Sequence, residues 1–356
     1  MNRRDFFKNS IAVLAMSGMG YRFLWAQSNP QSSLIIDAMG EIRPVYDRKL
    51  LQEILSSGLN AISVTLTDPK SYEQEAYDWT VKGIEDYDKY ISENSDLLMK
   101  ATNFDDLAKA KESGKLGIYY LVQNTTHFGR DLDRVDEFYN LGQRISQMTY
   151  NYQNWVGSGC KEKNGSGLTR FGHELVEKLN DIGMLIDLSH ANMRTMADTI
   201  KASNKQVHIS HTACDAVNKN KRNTTDENLR LLAGKGGVVG ICQIREFITP
   251  LKENNLFEYF KHIEHAINVA GIDHVAIGSD RDHRVVELSA EYIAELKAEE
   301  GENMVMSHLP YYLEGLNGPR RMETIWDGLV KRGYSEGDVE KVMGLNLGNL
   351  YKETLA

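Results

Sequence analysis

Two short segments of this chain each end a β-type run with the dipeptide Ser-His. His190 follows Ser189 shortly after an apolar run at 183–186, and His211 follows Ser210 in the same way. Adjacent parallel strands could point both imidazoles at one place, where a divalent metal binds histidine nitrogen at about 2.0–2.1 Å. A single histidine at a strand end is more often a hydrogen-bonded structural residue. The repeated Ser-His context favours a pair of metal ligands.

Two further polar residues follow β-type runs and could take part in the same site. Asp280 comes after the last run and could bind the metal or accept a proton from an activated water molecule. The same residue could instead cap the next helix. Arg222 follows the second Ser-His segment in a loop, where a surface cation is the simpler interpretation of an isolated arginine.

The elements that must position these residues are short β-type runs alternating with helical patterns. The predicted strands are Leu34–Asp37, Ala61–Leu66, Gly117–Gln123, Ile145–Thr149, Met184–Leu188, Val207–Ser210, Val238–Cys242 and His274–Gly278. The predicted helices are Asp47–Ser57, Phe104–Ser113, Leu132–Asn140, Gly172–Ile182, Met193–Ser203, Asp226–Lys235 and Phe257–Ala270. Near-continuously apolar strands are typical of parallel sheets covered on both faces. Eight such units predict a single-domain α/β fold, a (β/α)8 TIM-type barrel whose chemistry lies at the C-terminal ends of the strands. An open doubly wound sheet is the alternative, although no Gly-x-Gly-x-x-Gly motif follows the first strand.

The composition excludes several classes of protein. The chain has 356 residues, of which 41% are hydrophobic and 26% charged, and its net charge is −9. This charge argues against nonspecific binding to nucleic acid or to an anionic membrane surface. Three cysteines, Cys160, Cys214 and Cys242, cannot form a disulfide framework. We therefore expect stability to come from a buried core.

The N-terminal segment has the residue pattern of an export signal. Arg3 and Arg4 precede an aromatic pair and a lysine, an apolar stretch follows, and Ala26 is a small residue before a cleavage point. This pattern predicts a twin-arginine-type signal peptide at 1–26, a mature domain at 27–356 and a periplasmic location. The alternative is a short amphipathic helix. The apolar stretch is too short to span a bilayer permanently, so no stable membrane span is expected after signal removal.

Four motifs carry a resemblance to a known family. They are "GLTRFGHELVEKLNDIGMLIDLSHANMRTMADTI", "ISHTACDAVNKNKRNTTDENLRLLAGKGGVVGI", "HIEHAINVAGIDHVAIGSDRD" and "GYSEGDVEKVMGLNLGNLY". In this order they resemble the membrane (renal) dipeptidase family of zinc metallopeptidases, over nearly all of residues 34–352. The resemblance implies a barrel of the amidohydrolase type, usually a homodimer, with a metal centre that hydrolyses dipeptides or related small amides.

The resemblance also implies roles for individual residues. His190 and His211 match the histidines that hold the second metal of the family. Arg222 matches the arginine that binds the substrate carboxylate, which suits a bidentate guanidinium. Asp280 matches the aspartate that handles the proton. Tyr150 and Asn151 fall where the family often has a polar residue on the substrate side, which is a weaker match.

The first-metal half of the family pattern is altered in this chain. Met39-Gly40-Glu41 stands where the family has His-x-Asp, and Gln123 stands where it has a bridging glutamate. A thioether is a poor ligand for Zn²⁺, and a neutral amide cannot offset two dications. We therefore expect at most one metal ion, Zn²⁺ or another divalent ion, held by His190 and His211 with Gln123 or water completing the shell. Glu41 could reach the centre as a ligand or as a second acid/base group.

Three functions remain compatible with these residues. The first is an exported metallohydrolase that cleaves a dipeptide or a small amide bearing a free carboxylate. The second is a tailoring enzyme with different chemistry on a peptide-like metabolite, and the third is a non-catalytic binding protein on the same barrel. Function must be argued from the site and not from the fold.

Overall fold

The computed structural model describes residues 33–300 and 306–355, so the predicted signal at 1–26 lies outside the described residues. In chain order the strands are β1 Ile36–Asp37, β2 Ala61–Thr65, β3 Leu98–Ala101, β4 Leu116–Val122, β5 Gln143–Gln147, β6 Leu185–Asp187, β7 His208–Thr212, β8 Val238–Ile241 and β9 Val275–Ile277. The helices are α1 Arg48–Ser56, α2 Glu73–Glu93, α3 Phe104–Glu112, α4 Asp133–Asn140, α5 Arg170–Ile182, α6 Met193–Ala202, α7 Asp226–Gly234, α8 Arg245–Ile248, α9 Leu256–Ala270, α10 Ala290–Glu300, α11 Arg321–Lys331, α12 Glu336–Glu340 and α13 Asn346–Thr354. A π-helical turn at Lys341–Leu345 joins α12 to α13.

The parallel sheet curls into the predicted (β/α)8 barrel. Its strands follow the order β1-β2-β4-β5-β6-β7-β8-β9. The two ends of this path meet where the Ala38 amide donates to the Ile277 carbonyl at 2.9 Å. The buried Asp37 carboxylate strengthens the seam by accepting from the Ser279 amide at 2.7 Å. These contacts join the first strand to the last, so the open doubly wound alternative is wrong.

Helix α2 and strand β3 are among the elements that the hydrophobic pattern did not predict. Helix α2 runs for 21 residues, but its buried face is carried partly by Thr80, Gly83 and tyrosines, which disguise the helical spacing. At Gly83 a Cβ would lie 2.0 Å from the Leu66 carbonyl, so only glycine allows this helix to sit against the end of β2. Strand β3 is short, and it pairs with the first half of β4 beside the barrel path.

The seven predicted helices are confirmed to within two residues at their starts, and side-chain caps mark five of those starts. Thr169 caps α5 by accepting from the Gly172 amide, and Thr225 caps α7 by accepting from Asn228. Such caps satisfy backbone N–H groups that have no partner inside the helix.

The core has two layers, as expected for a barrel covered by helices. One buried cluster fills the space between the strands and the helices. A second cluster contains the alternate strand residues that face the barrel axis, together with Leu347, Leu350 and Tyr351 of α13. The Tyr351 hydroxyl reaches Ser63 on β2 at 3.2 Å, so the C-terminal helix is tied to the barrel interior. In the described ranges, no helix is long and apolar enough to cross a membrane.

Close backbone packing between β7 and β8 gives a testable prediction for stability. A Cβ at Gly240 would lie 2.0 Å from the Ser210 carbonyl, which belongs to the strand that carries His211. We expect Gly240→Ala to lower the free energy of unfolding by about 3 kcal/mol, since backbone atoms must move apart. The measurement is urea unfolding followed by circular dichroism.

The control is Gly337→Ala in α12, where a Cβ would meet nothing within 4 Å. This change should alter stability by less than about 1 kcal/mol, in the stabilising direction, because alanine favours helix. Equal midpoints for the two variants would contradict the close approach of β7 and β8.

Candidate active site

A cavity of about 1030 Å³ opens at the C-terminal ends of the strands. Its lining includes seven of the residues predicted for the site, namely Glu41, Gln123, Tyr150, Asn151, His190, Arg222 and Asp280. The eighth, His211, is fully buried directly behind this wall, with Nε2 3.9 Å from Asp280 Oδ1. The fold therefore brings all of the predicted site residues to one end of the barrel.

The two Ser-His segments are held together by the carboxylate of Asp187 at the end of β6. Asp187 Oδ1 accepts from the amide and hydroxyl of Ser189 at 3.0 and 2.9 Å and from the Ser210 amide at 2.8 Å. Its other oxygen accepts from the Ser210 hydroxyl at 2.6 Å. Burial raises the pKa of Asp187, but nearby histidines and these hydrogen bonds outweigh it and hold the pKa below its usual value. A buried anion therefore fixes both turns.

This network also sets the protonation pattern of His211. The Ser210 hydroxyl gives its hydrogen to Asp187, so its oxygen accepts from His211 Nδ1 at 2.7 Å. With the proton on Nδ1, the lone pair is on Nε2, which is buried and has no hydrogen-bond partner among the described residues. Burial and the charge of Arg222 lower the pKa of His211 well below the usual value, so the ring is neutral at pH 7. A neutral imidazole with an unpaired lone pair is the form that binds a metal.

Different neighbours orient His190, but they also leave the lone pair on its Nε2 atom. Its Nδ1 donates to Asn151 Oδ1 at 2.9 Å, which leaves the Nε2 lone pair available. The Tyr150 ring stacks on the imidazole, with ring centroids 4.2 Å apart. Burial, followed by the charge of Arg222, again lowers the pKa well below its usual value. The His190 and His211 ring centroids are 5.2 Å apart with the planes at 67°, so two neutral imidazoles lie next to each other in an edge-to-face arrangement.

Two residues of the site occupy the left-handed backbone region. His190 has φ of 63° and Asp280 has φ of 52°. Residues other than glycine rarely adopt this conformation, and when they do they are concentrated at functional sites. The Asp280 amide donates to the Met39 carbonyl at 2.9 Å, which fixes the turn after β9. No described helix starts directly after Asp280, so its alternative interpretation as a helix cap is wrong.

The Asp280 carboxylate lies among buried and charged groups. Burial raises its pKa to about 7, the nearby Glu41 charge adds to this rise, and Arg222 opposes it. A carboxyl group with a pKa near neutrality can both accept and return a proton.

Arg222 is buried, so the interpretation as a surface cation is wrong. It is 4% exposed, and its Nη2 donates to the His211 carbonyl at 3.0 Å. Its Nε is buried and has no hydrogen-bond partner among the described residues. The guanidinium therefore keeps donors available at the cavity wall beside His190.

The opposite half of the cavity carries the altered residues. Gln123 Nε2 donates to Met39 Sδ at 3.5 Å, so an amide and a thioether face one another there. The Glu41 carboxylate lines the cavity and pairs with Arg43 at 2.6 Å. Across the ranges 33–300 and 306–355, no group of three or more His, Cys, Asp or Glu side chains has an arrangement that could hold a metal ion. Any ion at this site must therefore combine the two histidines with other kinds of donor.

Comparison with known proteins identifies the family. The sequence profile of the membrane dipeptidase family, peptidase family M19, matches residues 47–289. The chain belongs to this family of hydrolases. The family as a whole implies a divalent metal, typically zinc.

Solved structures and curated relatives agree with this membership. A solved amidohydrolase from Pseudomonas aeruginosa is 30% identical, with a TM-score of 0.82, covering 92% of this chain and 98% of that one. A metallopeptidase from Rhodobacter sphaeroides, liganded with a phosphinate mimic of L-Ala-D-Ala, is 17% identical with a TM-score of 0.76, over 90% and 99% of the two chains. At that identity the likeness concerns the fold alone.

Two curated dipeptidases match over part of their length. Dipeptidase verJ of Clonostachys rogersoniana is 26% identical over 270 residues, which are 75% of this chain and 63% of the relative. An uncharacterized dipeptidase of Schizosaccharomyces pombe is 31% identical over 195 residues, which are 53% of this chain and 47% of the relative. The chain thus spans less than two thirds of the length of these relatives.

Sequence reasoning missed how the histidines are positioned, although Asn151 was itself predicted to lie at the site. Asp187 and Ser210 act on His211 through the hydrogen bonds described above, and Asn151 contacts His190 as well as lining the cavity. The available signal was an acidic residue two positions before the first Ser-His. It showed that a carboxylate was near, but not that it would reach across to β7.

The Asp187 network gives a prediction about both stability and protonation. In Asp187→Asn, the amide nitrogen cannot accept from the serine hydroxyls, and buried donors lose their charged partner. We expect the free energy of unfolding to fall by about 3 kcal/mol. Nitrogen-15 NMR of the ring should also show loss of the pure Nδ1–H form of His211.

Asp181→Asn, at an exposed position of α5, is the control and should change neither measurement. An unchanged tautomer in Asp187→Asn would mean that the serine chain does not set the protonation of His211.

Proposed function

We propose that this protein is a metal-dependent hydrolase that cleaves a dipeptide or a small amide bearing a free carboxylate. One observation carries the proposal: the rings of two neutral imidazoles, His190 and His211, lie 5.2 Å apart, and His211 Nε2 lies 3.9 Å from the Asp280 carboxylate, beside a large cavity. Membership of the dipeptidase family and the dipeptide mimic bound to the metallopeptidase of Rhodobacter sphaeroides support the substrate class.

The residues present fit one divalent ion. His211 Nε2 is a buried acceptor without a protein partner, and the Nδ1 atoms of both histidines are already used as donors. His190 and His211 would hold the ion, with Gln123 or water completing its shell. The residues around Met39 do not fit a second ion, because thioether and amide groups carry no charge to offset it. A bound ion would acidify an attacking water molecule and polarise the scissile carbonyl.

The chain itself would supply binding and proton transfer. Arg222 would bind the substrate carboxylate through its unpaired donors and so orient the scissile bond. Asp280 Oδ1 would take a proton from the attacking water and deliver it to the leaving amine nitrogen. Tyr150 would cover the imidazole of His190 on the substrate side. Glu41 is a second acid/base group on the opposite wall, oriented by Arg43.

Location and assembly form part of the proposal. The twin-arginine pattern at 1–26 supports export to the periplasm, and twin-arginine export of an already folded protein suits a chain that acquires its metal in the cytoplasm. The family resemblance supports a homodimer. Light scattering of the mature protein at 27–356 tests the assembly.

A tailoring reaction is the second candidate, and the contact between Gln123 and Met39 favours it. This contact remodels one half of the site and leaves the half with His190, His211 and Asp280 intact. Restoring His at 39, Asp at 41 and Glu at 123 separates the two candidates. Gain of dipeptidase activity by an inactive parent would assign the native protein to the second candidate.

The main experiment measures metal content and turnover together. We expect about one Zn²⁺ per chain by elemental analysis and hydrolysis of dipeptides that depends on added Zn²⁺. Asp280→Asn should retain the fold and lower kcat by about 10²–10⁴-fold, since it removes the group that transfers the proton. The control Asp181→Asn should match the parent. Absence of both bound metal and turnover would end the proposal.

Asn151 gives a separate prediction for metal affinity. Its side-chain oxygen holds His190 in the orientation that exposes Nε2. Loss of such a partner typically weakens metal binding by about 10–100-fold, and we expect Asn151→Ala to do so in a competitive chelator titration.

Asn164→Ala, at an exposed position in the same loop region, is the control and should bind the metal like the parent. Equal affinity in Asn151→Ala and the parent would show that Asn151 does not position a ligand.

A further inference from the structure

One wall of the cavity carries three cations that have no carboxylate partner. Arg222, Lys161 and Lys221 all line the cavity, and none of them forms an ion pair with a described carboxylate. Arg43, which also lines the cavity, is by contrast paired with Glu41, Asp282 and Glu295. Unpaired charges in a cavity remain available for a ligand.

The two lysines are held on the His190 side of the cavity by their backbones. The Lys161 amide donates to the Asn151 carbonyl at 2.8 Å, and the preceding Cys160 amide donates to the His190 carbonyl at 2.7 Å. Lys161 therefore adjoins the strand end that presents one proposed metal ligand.

Lys221 adjoins the carboxylate-binding arginine. Arg222 is fixed by its contact with the His211 carbonyl, and its own carbonyl accepts from the Thr212 hydroxyl at 2.9 Å. The preceding Asn220 donates to the Glu246 carbonyl at 3.2 Å. Both lysines are thus next in the chain to anchored residues, Lys161 to Cys160 and Lys221 to Asn220 and Arg222.

Two carboxylates close to these lysines, Glu162 next in the chain and Glu246 in the cavity lining, are already engaged elsewhere. Glu162 accepts from the amides of Gln153 and Lys163 at 3.1 and 3.2 Å. Glu246 pairs with His308. The charges of Arg222, Lys161 and Lys221 also act together on the Cys160 thiol: burial raises its pKa, and all three cations oppose that rise. The three charges therefore converge on one region of the wall.

We infer that this wall binds a second anionic group of the substrate, so that the preferred substrate is a dipeptide whose C-terminal residue has an acidic side chain. The inference rests on the proposed function. Arg222 binds the main-chain carboxylate, and Lys161 and Lys221 bind the side-chain carboxylate. A chain of net charge −9 otherwise repels a dianion, so these unpaired cations make the cavity selective for one.

Steady-state kinetics with four dipeptides test the inference. The substrates are L-Ala-L-Ala, L-Ala-D-Ala, L-Ala-L-Asp and L-Ala-D-Asp, assayed with the zinc-loaded protein. For the preferred stereoisomer we expect kcat/KM to be about tenfold higher with Asp than with Ala. Lys161→Met and Lys221→Met should each lower the ratio of kcat/KM for Asp over Ala by about two- to fivefold. This is the range expected for one solvent-exposed charge pair.

The double variant should show almost no preference, and the preference should weaken as salt is raised. Lys163→Met is the matched control, since this lysine is exposed in the same loop but does not line the cavity. It should leave all four rates unchanged. Equal kcat/KM for the Asp and Ala substrates, or a preference that survives in the double variant, would overturn the inference.

Calorimetry separates this inference from the hydrolase proposal. Phosphinate mimics of Ala-Asp and Ala-Ala are titrated into the parent and the double variant. If no dipeptide is cleaved but the Ala-Asp mimic binds more tightly and loses this advantage in the double variant, the anion site stands and the hydrolase proposal fails. If dipeptides are cleaved and the two mimics bind equally, the hydrolase proposal stands and the anion site fails.

Discussion

The site depends on one buried carboxylate. Asp187 accepts four hydrogen bonds from Ser189 and Ser210, and these two serines precede the two histidines in the chain. A buried anion without partners is too costly to keep, so the four donors and the carboxylate require each other. Because the serines cannot move independently, the ends of β6 and β7 stay in register, and the two imidazoles stay next to each other.

The two halves of the cavity differ in whether their side chains suit a bound cation. The half that contains His190 and His211 is held by hydrogen bonds that leave each Nε2 atom as an acceptor. The half that contains Met39 and Gln123 offers a thioether and an amide in contact. The half with the histidines therefore suits a bound cation, and the half with Met39 and Gln123 does not. The proposal of a single ion that acts together with Asp280 and Arg222 rests on this asymmetry.

The sequence predicted the barrel and the place of the site, because both follow from local patterns. Apolar runs marked the barrel strands, and polar residues at their ends marked the cavity. Helix α2 was not predicted, because its buried face is formed partly by Thr80, Gly83 and tyrosines. A search for regularly spaced aliphatic residues does not detect such a face. The role of Asp187 was not predicted, because its hydrogen bonds cross from β6 to β7. Such contacts depend on the register of the two strands and not on the spacing of residues along the chain. The burial of Arg222 likewise depends on how its loop folds back over His211.

The central claim is that His190 and His211 share one divalent ion while the side with Met39 and Gln123 holds none. Anomalous diffraction at the zinc edge, from crystals of the zinc-loaded protein, tests this most directly. We expect one peak about 2.0–2.1 Å from the Nε2 atoms of both histidines. A peak bound to only one of the two rings, or a second peak of equal height beside Gln123, would contradict it.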